Sequence, residues 1–198
     1  MTTDASHSSN KLITDLKSIP SPVFYIFAAV ALFCAFFVCG FNVASMFTAL
    51  FLLLLVACAC ADINKGIVPD LLVIVIAVLG IVNFVVVEQF TVSGLISHLI
   101  GAVCVSVPML LISLLIKGAF GGGDIKLMAA AGLYLGWKLV VAGAFVGMFV
   151  SGFYGIYLIV LKKAGKKSKI KLVPFLSFGL GLVSLFSETA LILMTGFY

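Results

Sequence analysis

The sequence has little charge. Only 10% of its 198 residues are Asp, Glu, Lys or Arg, while 64% are hydrophobic. A soluble globular domain is nearer a quarter charged and half apolar. A chain of this size has no shape that hides so much apolar surface from water, so lipid serves as the solvent for much of it. Arginine is absent, and all 12 basic residues are Lys. They sit at the ends of apolar runs, not in a stripe interleaved with aromatics. That pattern excludes a nucleic-acid surface and points to membrane orientation instead. Histidine occurs only as His7, in a polar leader, and His98, inside an apolar run. No Ser-His-Asp or Cys-His set is suggested, and His98 reads as a helix-packing or polar-contact residue. The cysteines Cys34, Cys39, Cys58, Cys60 and Cys104 all lie in apolar runs without a CxxC pair. Cys58-Ala59-Cys60 has the wrong spacing for a zinc knuckle. They read as small apolar helix residues, with no disulfide, metal or cofactor implied.

What is present is a succession of apolar runs. Residues 1–21 are polar and read as a cytoplasmic tail; residues 22–198 read as one membrane-embedded domain. The apolar segments are Val23–Phe41, Val43–Ala61, Leu71–Val87, Gly94–Ile116, Asp124–Trp137, Leu139–Leu161 and Leu172–Gly196. The expected fold is therefore all-α, a polytopic transmembrane helix bundle of about seven segments. With the N-terminal tail inside the cell, eleven lysines fall inside and only Lys138 falls outside, which supports that orientation. It places Asp62 and Asp124 at the cytoplasmic side. The fifth segment is short, about 21 Å of helix at 1.5 Å per residue, against a hydrocarbon core of about 30 Å. If Trp137 and Lys138 mark the outer interface, Asp124 lies below the inner surface, where irregular backbone needs protein or water around it.

Few residues can carry chemistry. Of seven acids, Asp4 and Asp15 are in the tail and Glu88 fits an outer turn. Asp62 ends one span and Asp124 opens another. Carboxylates at a membrane boundary are costly unless solvated or paired, and so are functional candidates. Two carboxylates within reach can share a proton, one acting as base on water and the other as acid on a carbonyl. Before Asp124 runs Gly121-Gly122-Gly123, a flexible turn or a place where backbone approaches a substrate closely. A P-loop is excluded, because no Lys-Ser or Lys-Thr follows at the required spacing. Pro69 reads as the start of the third span and Asp70 as its cap. Lys126 reads either as a membrane anchor or as a contact for substrate or Asp124. Glu188 lies in the last span without an assignable partner.

Two motifs carry a resemblance to a family. Asp62 is followed seven residues later by Pro69-Asp70, and Gly121-Gly122-Gly123-Asp124-Ile125-Lys126-Leu127 has the form Gly-x-Gly-Asp-x-Lys-Leu. With the weaker Pro174-Phe175-Leu176 and Gly179, these resemble the prepilin peptidases, which include the archaeal preflagellin peptidases. The resemblance covers roughly residues 22–196. It implies that Asp62 and Asp124 form the catalytic dyad of an aspartyl endopeptidase in the cytoplasmic (inner) membrane. It implies Gly121, Gly123, Lys126, Pro69 and Asp70 as an active-site loop and substrate-binding set. The implied substrates are prepilin-like precursors (pilins, pseudopilins or archaellins) cut at the cytoplasmic face. The larger members carry a methyltransferase insert that is not seen here, so methylation is not expected. Presenilin-like proteases have Tyr before the first Asp, and here Ala61 stands there.

Two other function classes compete. A small transporter would use intramembrane acids and glycine breaks, but no internal repeat is evident. A non-catalytic scaffold would not need both aspartates in motif context. Gly143, Gly147, Ser151 and Gly155 form a small-residue stripe suited to close helix packing inside the monomer or in a homo-oligomer. The lysine-rich stretch 162–171 reads as a topology determinant that also attracts anionic lipid.

Overall fold

The computed structural model describes residues 22–87, 91–116, 119–161 and 171–187, and among them every regular element is an α-helix. In chain order these are α1 (Pro22–Cys39), α2 (Val43–Lys65), α3 (Asp70–Val86), α4 (Val92–Cys104), α5 (Ser106–Leu115), α6 (Gly122–Val160) and α7 (Val173–Leu185). They do not map one to one onto the apolar segments. Val92–Leu115, Val43–Lys65 and Gly122–Val160 are long and apolar enough to cross a membrane, while Phe24–Val38, Asp70–Val86 and Val173–Leu185 are apolar but shorter. Large apolar side chains such as Phe33, Phe37, Leu115 and Phe145 face outward. Water would reject such a surface and hydrocarbon accepts it. The protein is a multi-pass membrane protein.

Local sequence explains the boundaries. Asn42 caps α2: its side chain accepts the Ser45 N–H at 2.9 Å, and its own N–H donates to Ser45 Oγ at 3.0 Å. The reciprocal pair satisfies two of the amides a helix start leaves open. α2 ends at Gly66, which adopts φ 66° and ψ 24°. This left-handed terminus costs Gly little. The helix therefore continues one turn past Ala61 and carries Asp62 on its last turn. Between α4 and α5 the break falls at Val105. Pro108 has no N–H to give the carbonyl of Cys104, and its ring crowds that carbonyl, so the ladder is interrupted there.

α6 is the axis of the bundle. Unbroken, its 39 residues would measure about 58 Å, nearly twice the hydrocarbon thickness. Gly136 divides it, with φ 73° and ψ 173°, a conformation essentially reserved for glycine. The expected break at Lys138 is thus two residues late. The first half packs on α3 and α4, and the second half on α7. Both contacts depend on glycine. A Cβ on Gly132 would lie 2.1 Å from the Gly101 carbonyl oxygen, and one on Gly179 would lie 2.3 Å from that of Gly143. Gly143, Gly147, Ser151 and Gly155 are all buried. The stripe is thus consumed inside the monomer.

The core lies where α2, α6 and α7 meet. Phe51, Leu55, Leu127, Met128, Leu176 and Leu180 are at most 1% exposed. Phe51 stacks on Tyr134 with ring centroids 4.1 Å apart. His98 is buried, contacts the Leu133 carbonyl through Nδ1 at 2.8 Å and tilts against Phe84. It is the packing and polar-contact residue expected. Cys34, Cys58, Cys60 and Cys104 are free thiols. Glu88, Glu188, Lys117 and the lysines at 162–169 lie outside the described residues.

Candidate active site

Four chain segments converge at one end of the bundle: the last turn of α2, the loop 66–69 with the start of α3, the start of α6, and the residues leading into α7. Each brings a polar or charged group.

Asp62 arrives on the last turn of α2 and is 7% exposed; Asp124 arrives in the first turn of α6 and is 9% exposed. The two carboxylates are near enough to interact electrostatically. The structure therefore brings together two acids that lie far apart in sequence. Their environments differ. Asp124 Oδ2 accepts the Gly121 N–H at 3.0 Å. A carboxylate folded back on the first turn satisfies an open amide and meets the positive end of the helix dipole. Asp62 Oδ2 is buried without a hydrogen-bond partner among the described residues. A buried polar atom left open is uncommon and marks a place where strain, chemistry or a bound molecule is accommodated.

The three glycines of the loop are not equivalent. A Cβ on Gly121 would sit 3.1 Å from Asp124 Oδ2. A Cβ on Gly122 would meet nothing within 4 Å. A Cβ on Gly123 would sit 2.9 Å from Val68 Cγ2, within the buried contact that seats the start of α6 on the loop before α3.

Pro69 and Asp70 depart from their expected places by one step. Pro69 is the residue preceding α3, and Asp70 is its first residue without capping it through its side chain. A proline there still suits the start, since it lacks an N–H that would otherwise be open. The Asp70 carboxylate turns instead to Lys126, whose ammonium donates to Oδ1 at 2.7 Å. This pair ties the residue eight positions after Asp62 to the residue two positions after Asp124. It is exposed, with side chains 68% and 57% accessible. Such a pair contributes little stability, but it spans the two segments that carry the acids.

Lys171 was not singled out by the sequence, where it is the last of six similar lysines. Its ammonium donates to the main-chain carbonyl of Ile63, the residue after Asp62, and its charge acts on Asp62. The one distinguishing signal was its place immediately before the apolar run that begins at Leu172.

Among the described residues no group of three or more His, Cys, Asp and Glu converges as metal ligands would. The chemistry this end can perform is that of two buried acids in unlike surroundings, reached through a glycine turn.

Comparison with known proteins bears on the same stretch. The profile of the Type IV leader peptidase family matches residues 49–156, which contain both Asp62 and Asp124. The prepilin leader peptidase/N-methyltransferase of Bacillus subtilis (strain 168) is 26% identical over 140 residues, covering 70% of this chain and 55% of that protein. The chain thus spans about half the length of this curated relative. No solved structure matches significantly.

Proposed function

Since the chain belongs to the Type IV leader peptidase family, we propose that it is an aspartyl endopeptidase of the cytoplasmic membrane. In this reading it removes the leader from prepilin-like precursors, using Asp62 and Asp124 as the dyad. The observation that carries the reading is the pair of buried carboxylates at one end of the bundle, one of them with an oxygen that has no partner among the described residues.

The chemistry follows from two acids sharing one proton. The ionised carboxylate takes a proton from a water molecule as that water's oxygen bonds to the scissile carbonyl carbon. The protonated acid gives its proton to the carbonyl oxygen. The resulting diol collapses, the C–N bond breaks, and a proton passes to the leaving amine. Neither role needs a metal, and neither needs histidine.

The remaining elements find places in this scheme. Gly121 holds the Asp124 carboxylate through its N–H, and Gly123 lets the start of α6 sit against Val68. Pro69 sets the start of α3, and Asp70 with Lys126 braces the two acid-bearing segments. The eleven-to-one lysine distribution supports a cytoplasmic N-terminus by the positive-inside rule, which puts the dyad on the cytoplasmic face. The substrate is then a precursor whose leader stays inside while its hydrophobic helix lies in the bilayer. Any homo-oligomer would use a face other than the small-residue stripe, whose Gly143 and Gly147 pack against α7 and whose Ser151 and Gly155 are buried.

The test is cleavage of a co-expressed prepilin in membranes by wild type, Asp62→Asn and Asp124→Asn, read as a mobility shift. Wild type is expected to cut and both variants to be folded and silent. A well-folded variant that cuts at the wild-type rate would remove its residue from the dyad.

A further inference from the structure

Two polar side chains, Ser106 and Ser113, interrupt the apolar sequence of α5. A serine inside an apolar helix commonly turns its hydroxyl back to the carbonyl four residues earlier. Ser106 does so, donating to the Ala102 carbonyl. Ser113 reaches out of its helix and donates to the carbonyl of Phe120 at 3.3 Å. That carbonyl belongs to the same peptide unit as the Gly121 N–H, which donates to Asp124 Oδ2 at 3.0 Å. A trans peptide is planar, with its C=O and N–H pointing opposite ways, so a bond that fixes one end aims the other. The Phe120 side chain packs against the core and steadies the same unit. One continuous hydrogen-bonded line thus runs from α5, through the Phe120–Gly121 peptide, to one of the two buried acids.

We propose that Ser113 is a positioning residue of the dyad: its hydroxyl aims the Phe120–Gly121 peptide so that the Gly121 N–H holds the Asp124 carboxylate in place. The inference rests on the aspartyl-peptidase reading and deepens it, because it names a side chain outside both sequence motifs on which the site depends. The loop needs such support. Gly121, Gly122 and Gly123 have the widest backbone freedom of any residue type, and they bring no side chain that could anchor the turn. A hydrogen bond to the carbonyl also polarises the peptide and strengthens the bond its N–H makes. Leu110, Leu111, Leu114 and Leu115 of α5 face outward. Ser113 therefore connects to the site a helix that is otherwise turned mainly to lipid.

The experiment measures kcat and KM on a prepilin-like substrate in lipid vesicles for the full-length wild type, Ser113→Ala, Ser113→Thr, Gly121→Ala and the double variant Ser113→Ala with Gly121→Ala. Alanine is smaller than serine and favours a helix, so Ser113→Ala keeps the fold. Its kcat is expected to fall about fivefold, the worth of about one hydrogen bond, with KM nearly unchanged. Threonine keeps the hydroxyl and should restore kcat to within about twofold of wild type. A Cβ on Gly121 would lie 3.1 Å from Asp124 Oδ2 and displaces the carboxylate by itself. Adding Ser113→Ala to Gly121→Ala should then slow the enzyme by less than about twofold further. Losses that multiply in the double variant overturn the proposal, because Ser113 would then act by another route. A loss confined to KM also overturns it, because Ser113 would then be a substrate contact. So does a threonine variant as slow as the alanine one. Should Gly121→Ala be too slow to measure, the alanine and threonine variants decide. A wild type that cuts no prepilin-like substrate overturns the peptidase reading and this inference with it. An active wild type with an indifferent Ser113→Ala overturns this inference alone.

Discussion

Alanine at Gly123 is expected to slow the enzyme without unfolding it. The added Cβ would lie 2.9 Å from Val68 Cγ2 and 3.0 Å from Val68 Cβ, where ordinary contact is 3.4–4 Å. The gap must open by about half an ångström or more. Val68 is buried and β-branched, so it has few rotamers into which to retreat. The backbone at the start of α6 takes up the shift. Overpacking of this kind costs about 1–3 kcal/mol. Asp124 is the next residue, and misplacing a reacting group by about 1 Å costs up to roughly 100-fold in rate. The expected result is a fall in kcat of about 10- to 100-fold in detergent or vesicle assays, with the protein still monodisperse. Two companions make the reasoning refutable. Gly122→Ala, whose Cβ meets nothing, should keep the wild-type rate. Val68→Ala removes the nearer of the two clashing atoms and should recover about fivefold of the loss when combined with Gly123→Ala, a coupling of about 1 kcal/mol. A Gly123→Ala enzyme at the wild-type rate, or a double variant no faster than the single, would show that this contact does not hold the site.

The other expectations concern packing and the ion pair. Gly136→Ala puts a side chain into a glycine-only conformation and brings its Cβ 2.9 Å from Ser97 Oγ. It should cost about 1–3 kcal/mol, seen as an earlier thermal transition in detergent. Gly179→Ala pushes against the backbone of Gly143 and Gly147, which cannot rotate away. It should destabilise by about 3 kcal/mol, the upper end for overpacking, and a melt within a degree of wild type would contradict the α6–α7 contact. Asp70→Asn or Lys126→Met should change stability by less than about 1 kcal/mol, because the pair is exposed. If it braces the acids, either variant lowers kcat several-fold and the charge-swapped double variant Asp70→Lys with Lys126→Asp regains activity, whereas an inactive swap with an intact fold would point to direct substrate contact.

Which parts of this fold could be read in advance depends on what hydropathy and spacing can see. Asp62 and Asp124 stood out because a carboxylate inside or beside an apolar run is costly, and a short motif surrounds each one. The start of α2 was legible because Asn42 interrupts the apolar run. Hydropathy put the break in α6 at Lys138, since it responds to charge; the chain bends at Gly136, where the determinant is a backbone angle. It joined α4 to α5 for the converse reason. Pro108 is apolar enough to extend the run, yet it leaves the carbonyl of Cys104 without its N–H partner. The end of α2 was misplaced by one turn because Asp-Ile-Asn-Lys reads as a polar loop. It is the final turn of a helix stopped by Gly66.

The ion pair between Asp70 and Lys126, and the reach of Lys171 to Ile63, were illegible for a stronger reason. They join residues 56 and 108 positions apart, and no local pattern encodes a partner at that distance. For Lys171 the composition even misled, because a run of lysines at a membrane face is explained by orientation alone. One position in such a run can serve topology and still hold a specific bond. What separates it from its neighbours is the rigid element that follows. α7 begins at Val173 with Pro174 in its first turn, so the chain just before it has a set direction, and the side chain at 171 is delivered to one place. The same reasoning applies at Asp124, where the helix start fixes the carboxylate through Gly121. In both cases the side chain sits at a residue whose backbone is settled by the helix beside it, which is what the proposed dyad, built from distant segments, would require.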